Sequence, residues 1–151
     1  MEKQYVIGLD FGTDSVRSVL VDSANGSTLG SQVHWYQRWR EGRYCDSATN
    51  RFRQHPLDHI EGMEATIREV VKQTGVHPAS VKGICIDTTG SSPVPVDASG
   101  TALSLLPGFA ENPNAMMVLW KDHTAIAEAD EINTLARTWG GEDFTLSFCL
   151  H

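Results

Sequence analysis

The stretch Tyr5-Val6-Ile7-Gly8-Leu9-Asp10-Phe11-Gly12-Thr13-Asp14-Ser15-Val16-Arg17-Ser18-Val19-Leu20-Val21 decides how the chain begins to fold. The apolar run Tyr5 to Leu9 stops at Asp10 and Gly12, and a second run rich in β-branched residues follows from Ser15 to Val21. Two strands joined by a tight glycine-containing turn satisfy this pattern. Downstream, Asn25-Gly26 separates the second strand from Thr28 to Trp35, where Leu29, Val33 and Trp35 alternate with polar neighbours. Asn-Gly tolerates the positive φ angles of a hairpin turn, so the first third of the chain is expected to be an antiparallel three-strand meander.

Beyond the meander the period changes. Tyr36 to His55 is polar, with scattered Arg, Gly and aromatic residues and no usable repeat, and is expected to be a long ordered loop. After Pro56, the residues Ile60, Met63, Ile67, Val70, Val71 and Thr74 recur at spacings of three and four, with Gly75 just beyond. That spacing predicts an amphipathic helix with a C-terminal stop. Val81 to Asp87 (VKGICID) reads as a buried strand, and Val94 to Val96 as the start of another before the turn Asp97 to Gly100. A third apolar run, Met116 to Trp120, precedes a second helical face carrying Ile126, Ala129, Ile132, Leu135 and Ala136. The order β-β-β-α-β-β-β-α, without repeat or linker, predicts an α/β architecture with a mixed sheet and no domain boundary within residues 1–151.

Composition narrows the function. A net charge of -7 with Lys and Arg dispersed along the chain argues for solubility and against a nucleic-acid partner. Cys45, Cys85 and Cys149 are odd in number and hold no Cys-x-x-Cys pair, which fits a reducing cytoplasm better than a disulfide framework or a zinc site. No apolar stretch approaches the ~20 residues that span a bilayer, and the N-terminus lacks the apolar segment of a signal peptide, so no membrane role is expected.

Two segments have the residue types of phosphate chemistry. In Asp10-Phe11-Gly12-Thr13-Asp14-Ser15 a glycine lets backbone N–H groups approach a phosphate, hydroxyls add donors, and the Asp10 carboxylate suits Mg²⁺, held through water. The same residues also suit an ordinary hairpin turn. Asp87-Thr88-Thr89-Gly90-Ser91-Ser92 again follows an apolar strand and reads either as a Ser/Thr-rich turn or as a second loop facing the same crevice. His55 and His59 stand four apart across a helix start, but no carboxylate or cysteine completes a metal set, so surface or capping roles are expected. The aromatic and basic segment Trp35 to Tyr44 would stack nucleobases or pack on the sheet, and the acidity of the chain favours packing.

Val6-Ile7-Gly8-Leu9-Asp10-Phe11-Gly12-Thr13-Asp14-Ser15-Val16-Arg17 resembles the phosphate-binding opening of the FGGY carbohydrate kinases. These belong to the ribonuclease H-like superfamily of actin, sugar kinases and Hsp70, which also opens with a three-strand meander. Longer strings carry the same resemblance: Trp35-Tyr36-Gln37-Arg38-Trp39 through Tyr44-Cys45-Asp46, Phe52-Arg53-Gln54-His55-Pro56, and Asp87-Thr88-Thr89-Gly90-Ser91. Phe109-Ala110-Glu111-Asn112-Pro113-Asn114-Ala115 and Leu119-Trp120-Lys121-Asp122-His123-Thr124 extend it, so that it covers roughly Tyr5 to Arg137.

The resemblance implies a ribonuclease H-like domain, ATP with Mg²⁺ as phosphoryl donor, and a ketopentose of the L-ribulose type as acceptor, as in arabinose catabolism. Asp10, Gly12 and Thr13, with Asp14 and Ser15 in the same loop, would belong to the phosphate and metal site. Arg17 would stabilise charge near the phosphates or form a structural ion pair. Thr89, Gly90 and Ser91 would line the sugar pocket. Trp120, Lys121 and Asp122 match the family's tryptophan-containing substrate segment, although a Trp ending a strand equally suits a core.

The family's general base, an Asp, and its second, ATP-enclosing domain belong to later segments than those matched. The chain therefore reads as the N-terminal part of the first domain and is expected not to turn over ATP and L-ribulose by itself. After Arg137 the run Trp139 to His151 departs from the family pattern, as a frameshift, a truncation, a divergent terminus or a chosen boundary would produce. Three other readings stay open: a sugar-binding or regulatory module without ATP hydrolysis, a non-functional fragment whose open sheet edge makes it aggregate or dimerise, and a kinase for another sugar.

Overall fold

The computed structural model describes residues 3–144. Strands β1 (Tyr5–Phe11), β2 (Ser15–Asp22) and β3 (Thr28–Trp35) form the expected antiparallel meander. The segment Ser23 to Ser27 turns through two side-chain bonds, Ala24 N–H to Asp22 Oδ1 at 2.9 Å and Ser27 N–H to Asn25 Oδ1 at 2.8 Å. Helix α2 (Pro56–Thr74) crosses over the meander, and the following strand, β6 (Val81–Thr88), pairs parallel to β1. The sheet order is thus β3-β2-β1-β6, a mixed sheet with α2 on one face.

Strand alternation explains the core. Ile7 and Leu9 of β1, with Leu20 of β2, meet Val70 of α2, and Met63, Ile67 and Val71 pack around them. The residues of α2 that sit deepest are Asp58, Gly62, Thr66 and Val70, a stripe of every fourth residue that is mostly small or polar rather than the apolar face expected, and Ile60 is 37% exposed. The cause is close approach. A Cβ on Gly62 would stand 2.6 Å from Val16 Cγ1 and 3.2 Å from His34 Cδ2, so the helix lies almost directly on β2 and β3. Thr66 is tied there as its carbonyl accepts from the buried Ser18 hydroxyl at 3.0 Å. Both ends of the helix are closed: His55 Nδ1 accepts from Leu57 N–H at 3.1 Å ahead of Pro56, and Gly75 ends it at φ 67° in the left-handed region.

Tyr36 to His55 is not one loop. It contains the single turn α1 (Gln37–Arg40) and a small hairpin of β4 (Cys45–Asp46) and β5 (Arg51–Gln54), and β5 also pairs with β7 (Met117–Val118). Elements of two to four residues show no full period, so pattern cannot reveal them. Asp58 holds α1 in place, accepting from the Arg38 guanidinium at 2.9 Å and from the backbone N–H of Trp39 at 3.2 Å.

Two other strand expectations change. β6 is not buried: Ile84 and Ile86 are 55% and 59% exposed, because β6 forms the sheet edge among the described residues and α2 covers only its neighbours. Val94 to Val96 reduces to one bridge, Val96 to Ala102, around the expected Asp97 turn, whose carboxylate accepts from the Ser99 and Thr101 N–H groups. Helix α3 (Ile126–Ala136) forms where expected, with Ile132 and Leu135 exposed. Thr145 to His151, including Cys149, lie outside the described residues. No helix among the described residues is long and apolar enough to cross a membrane.

Gly62→Ala should destabilise the chain by roughly 1–3 kcal/mol through overpacking, although alanine is the better helix former by about 1 kcal/mol. Urea denaturation reads the difference, and an unchanged midpoint would mean that the helix can lift off β2 freely.

Candidate active site

Parallel pairing brings together the two loops that sequence singled out separately. Asp10 lies in register with Asp87 and Phe11 with Thr88, so the β1–β2 turn and the loop after β6 leave the sheet side by side. The Phe11 carbonyl accepts from both the Thr89 N–H at 3.0 Å and the Thr89 hydroxyl at 3.2 Å, which fastens one loop to the other. Arg17 stands opposite Asp10 on β2, so Arg17, Asp10 and Asp87 form an exposed row on the face away from α2.

A small crevice opens at these strand ends, lined by Gly12, Thr13, Thr88, Thr89 and Ser92 of the two loops and by Gln54 and His59 beneath them. The turn is closed by Gly12 N–H donating to the Ser15 carbonyl at 2.9 Å. Two of its other carbonyls face the protein: Thr13 accepts from Gln54 Nε2, and Asp14 from the Tyr36 N–H at 2.9 Å. Neither the Thr13 nor the Asp14 N–H has a hydrogen-bond partner among the described residues. Two unspent amides, the hydroxyls of Thr13 and Ser15 and the exposed carboxylate of Asp10 are a donor set that fits a phosphate with a magnesium ion. Mg²⁺ held there would neutralise phosphate charge. In the second loop Gly90 is exposed, and Ser91 adopts φ 56°, an uncommon left-handed conformation for a serine.

Three further residues, Gln54, His59 and Tyr36, meet at the site although the sequence assigned them no role there. The His59 ring stacks between Phe11 at 5.6 Å and the buried Tyr36 at 4.6 Å, and its Nε2 meets Gln54 Oε1 at 3.1 Å. Burial pushes His59 down to about 4, with Asp58 opposing, so the ring is neutral at ordinary pH. Burial, then the charges of Asp10, Asp58 and Asp14, hold the Tyr36 phenol well above its usual range, and its hydroxyl has no partner among the described residues. In the sequence Tyr36 and Gln54 lie within the strings that carry the family resemblance and His59 stands four beyond His55, but none of these signals places them under the first turn. His55 faces away to cap α2, so the two histidines do not converge.

The segment Trp120-Lys121-Asp122 divides. Asp122 is buried against Arg53, Oδ2 to Nε at 2.7 Å, and also accepts from the Phe52 N–H at 2.8 Å and the Thr124 hydroxyl at 2.6 Å. Burial alone would raise its carboxyl, but these bonds hold it well below the usual carboxylate range. Lys121 Nζ lies 4.5 Å from the Phe52 ring centre and 4.9 Å from that of Trp39. Both charges are therefore engaged in joining the β4–β5 hairpin to the later chain, and neither residue lines the crevice. Trp120, 59% exposed, is the member left open.

Residues 5–139 match the sequence profile of the FGGY family of carbohydrate kinases, N-terminal domain. The chain belongs to that family. It is 51% identical over 144 residues to a ribulokinase of Vibrio parahaemolyticus serotype O3:K6, an alignment covering 95% of this chain and 25% of that protein. It is 36% identical over 145 residues to a ribulokinase of Halalkalibacterium halodurans, covering 93% and 26%. Among solved structures, a gluconate kinase from Lactobacillus acidophilus superposes with a TM-score of 0.69 at 15% identity, over 92% of this chain and 24% of that one. A xylulose kinase from Rhodospirillum rubrum gives 0.67 at 16%, over 91% and 24%. These show the ribonuclease H-like sugar-kinase fold, and the chain spans about a quarter of the length of the curated relatives it matches.

Two outcomes follow for the buried polar groups. Asp122→Ala, which strands the Arg53 guanidinium, should cost about 3–5 kcal/mol of stability, read by urea denaturation; a loss under about 1 kcal/mol would show the pair to be solvated. For His59 the folded-state value lies below that of a free imidazole, so the unfolded chain takes up the proton first. Stability present above about pH 6.5 is then lost as pH falls towards about 4. His59→Phe, which keeps the ring stack, should flatten that part of the urea-midpoint profile, and parallel profiles would show that His59 titrates freely.

Proposed function

We propose that this chain supplies the phosphate loop and part of the sugar pocket of an ATP-dependent kinase for a ketopentose of the L-ribulose type, working in the cytoplasm. The observation that carries the reading is the junction of the two loops at the ends of β1 and β6, fastened through Thr89 and the Phe11 carbonyl. Ligands in open α/β sheets bind at such strand ends. The ribulokinase names of relatives at 51% and 36% identity support the choice of sugar.

In this reading the Thr13 and Asp14 N–H groups and the Thr13 and Ser15 hydroxyls hold phosphate oxygens, Gly12 closes the turn that presents them, and Asp10 holds Mg²⁺ through water. Arg17, in register with Asp10, adds positive charge beside them. Thr89, Gly90 and Ser91 face the sugar, and exposed Trp120 offers an apolar ring to its carbon skeleton. Lys121 and Asp122 belong to the scaffold behind that tryptophan rather than to the contact itself. Phosphoryl transfer depends on positioning and charge stabilisation around the whole transferred group, so the 151-residue polypeptide should bind without turnover.

Calorimetric titration of the chain with L-ribulose and, separately, with Mg·ATP tests this reading. Binding of both, without ADP formation, is the expected result. Sugar binding alone would favour a sugar-binding module, and binding of neither would overturn the proposal. A self-associating fragment is a second reading, favoured by the open edge of β6 and its exposed Ile84 and Ile86. Sedimentation as a dimer or larger, reversed by Ile84→Lys, would support it.

A further inference from the structure

The β1–β2 turn is held from beneath by Gln54, with His59 and Tyr36 packed around it. Gln54, 2% exposed, donates through Nε2 to the Thr13 carbonyl and turns Oε1 toward His59 Nε2. An amide side chain can be seated either way round, and here its partner decides. The Thr13 carbonyl can only accept, so it takes the amide N–H group, which leaves Oε1 facing His59 Nε2 at 3.1 Å, where the neutral ring donates in its Nε2–H tautomer. His59 cannot swing away without breaking its stacks on both Phe11 and Tyr36. Tyr36 in turn donates its backbone N–H to the next carbonyl, Asp14.

A trans peptide is planar, and its C=O and N–H point in opposite directions. Drawing the Thr13 carbonyl inward against Gln54 therefore aims the Asp14 N–H outward, away from Gln54, where it has no partner among the described residues. We propose that Gln54, seated by His59, is a positioning residue that fixes the Thr13–Asp14 peptide with its N–H turned toward the phosphate. The inference rests on the β1–β2 turn being a phosphate loop, and it adds the part of the chain that sets the loop's conformation. Without that bond the Thr13 carbonyl would be left unpaired, and the peptide would be free to rotate and turn its negative end toward the ligand.

Nuclear magnetic resonance of the ¹⁵N-labelled 151-residue chain tests it, comparing the unaltered protein with Gln54→Met and with His59→Phe. The readouts are exchange of the Gly12 and Tyr36 amides, which donate to the Ser15 and Asp14 carbonyls, and the shift of the Asp14 amide on adding Mg·ADP. In Gln54→Met the two loop amides should exchange at least about tenfold faster while those of α2 stay within about twofold, and the Asp14 shift should disappear. His59→Phe, which keeps the ring stack, should act in the same direction to a smaller extent. Unchanged loop exchange and an unchanged Asp14 response in both variants would overturn the proposal. If Gln54→Met fails to fold, the side-chain amide protons of Gln54 in the unaltered chain decide: exchange as fast as in an exposed glutamine overturns the clamp, and slow exchange supports it. If Mg·ADP moves nothing in the unaltered chain although Gln54→Met loosens the loop, the clamp stands and the phosphate reading fails.

Discussion

Strand β1 is hydrogen-bonded along both edges, antiparallel to β2 and parallel to β6, and this double pairing constrains the rest of the molecule. The antiparallel edge ends in a turn that must leave the sheet at Gly12, and the parallel edge ends in a loop that must leave it beside the same point. Because a parallel neighbour needs a crossover, α2 has to pass over the sheet between β3 and β6. The near-contact at Gly62 sets how close that crossing can be. One register therefore fixes the core, the crossover and the meeting of the two loops together.

Beneath the loops the chain uses buried polar residues where an apolar core would have sufficed for stability alone. Asp58, Thr66, Gln54 and Ser18 are nearly inaccessible, and each is satisfied by a named partner. An apolar side chain has no preferred orientation for a neighbouring peptide, whereas an amide or carboxylate fixes it to a few tenths of an ångström. Asp58 and Gln54 stand at the start of α2 and under the β1–β2 turn, whereas Ser18 and Thr66 join β2 to the middle of the helix.

The long elements were legible in the sequence because their periods run for several turns or residues. The meander, the stop of α2 at Gly75, the strand at Val81 and the helix at Ile126 all follow from alternation or three-four spacing. The Asp10 to Ser15 and Asp87 to Ser92 loops were legible as turns at strand ends, and the resemblance pointed to a family that the profile match over residues 5–139 establishes. What could not be read was whatever depends on contact between distant residues. The β4–β5 hairpin is local but too short to show a period, β5 and β7 pair across the fold, and the Arg53–Asp122 bond joins positions far apart in the chain. The exposure of β6 was hidden for the opposite reason, since VKGICID is apolar enough to be buried and nothing in its own composition tells which neighbour covers it.

The same Arg53–Asp122 bond has a consequence for the order of folding. Its partners are 69 residues apart, whereas β1 and β2 meet across a three-residue turn. Closing the longer loop costs more chain entropy, and the contact is rewarded only once β5 and β7 are already adjacent. The ion pair can therefore close only when the β4–β5 hairpin and the Trp120 segment have been brought together. Without it the Trp120 segment would lose its tie to the β4–β5 hairpin, whereas the pairing of β1 with β2 and the seat of α2 at Gly62 involve none of its atoms.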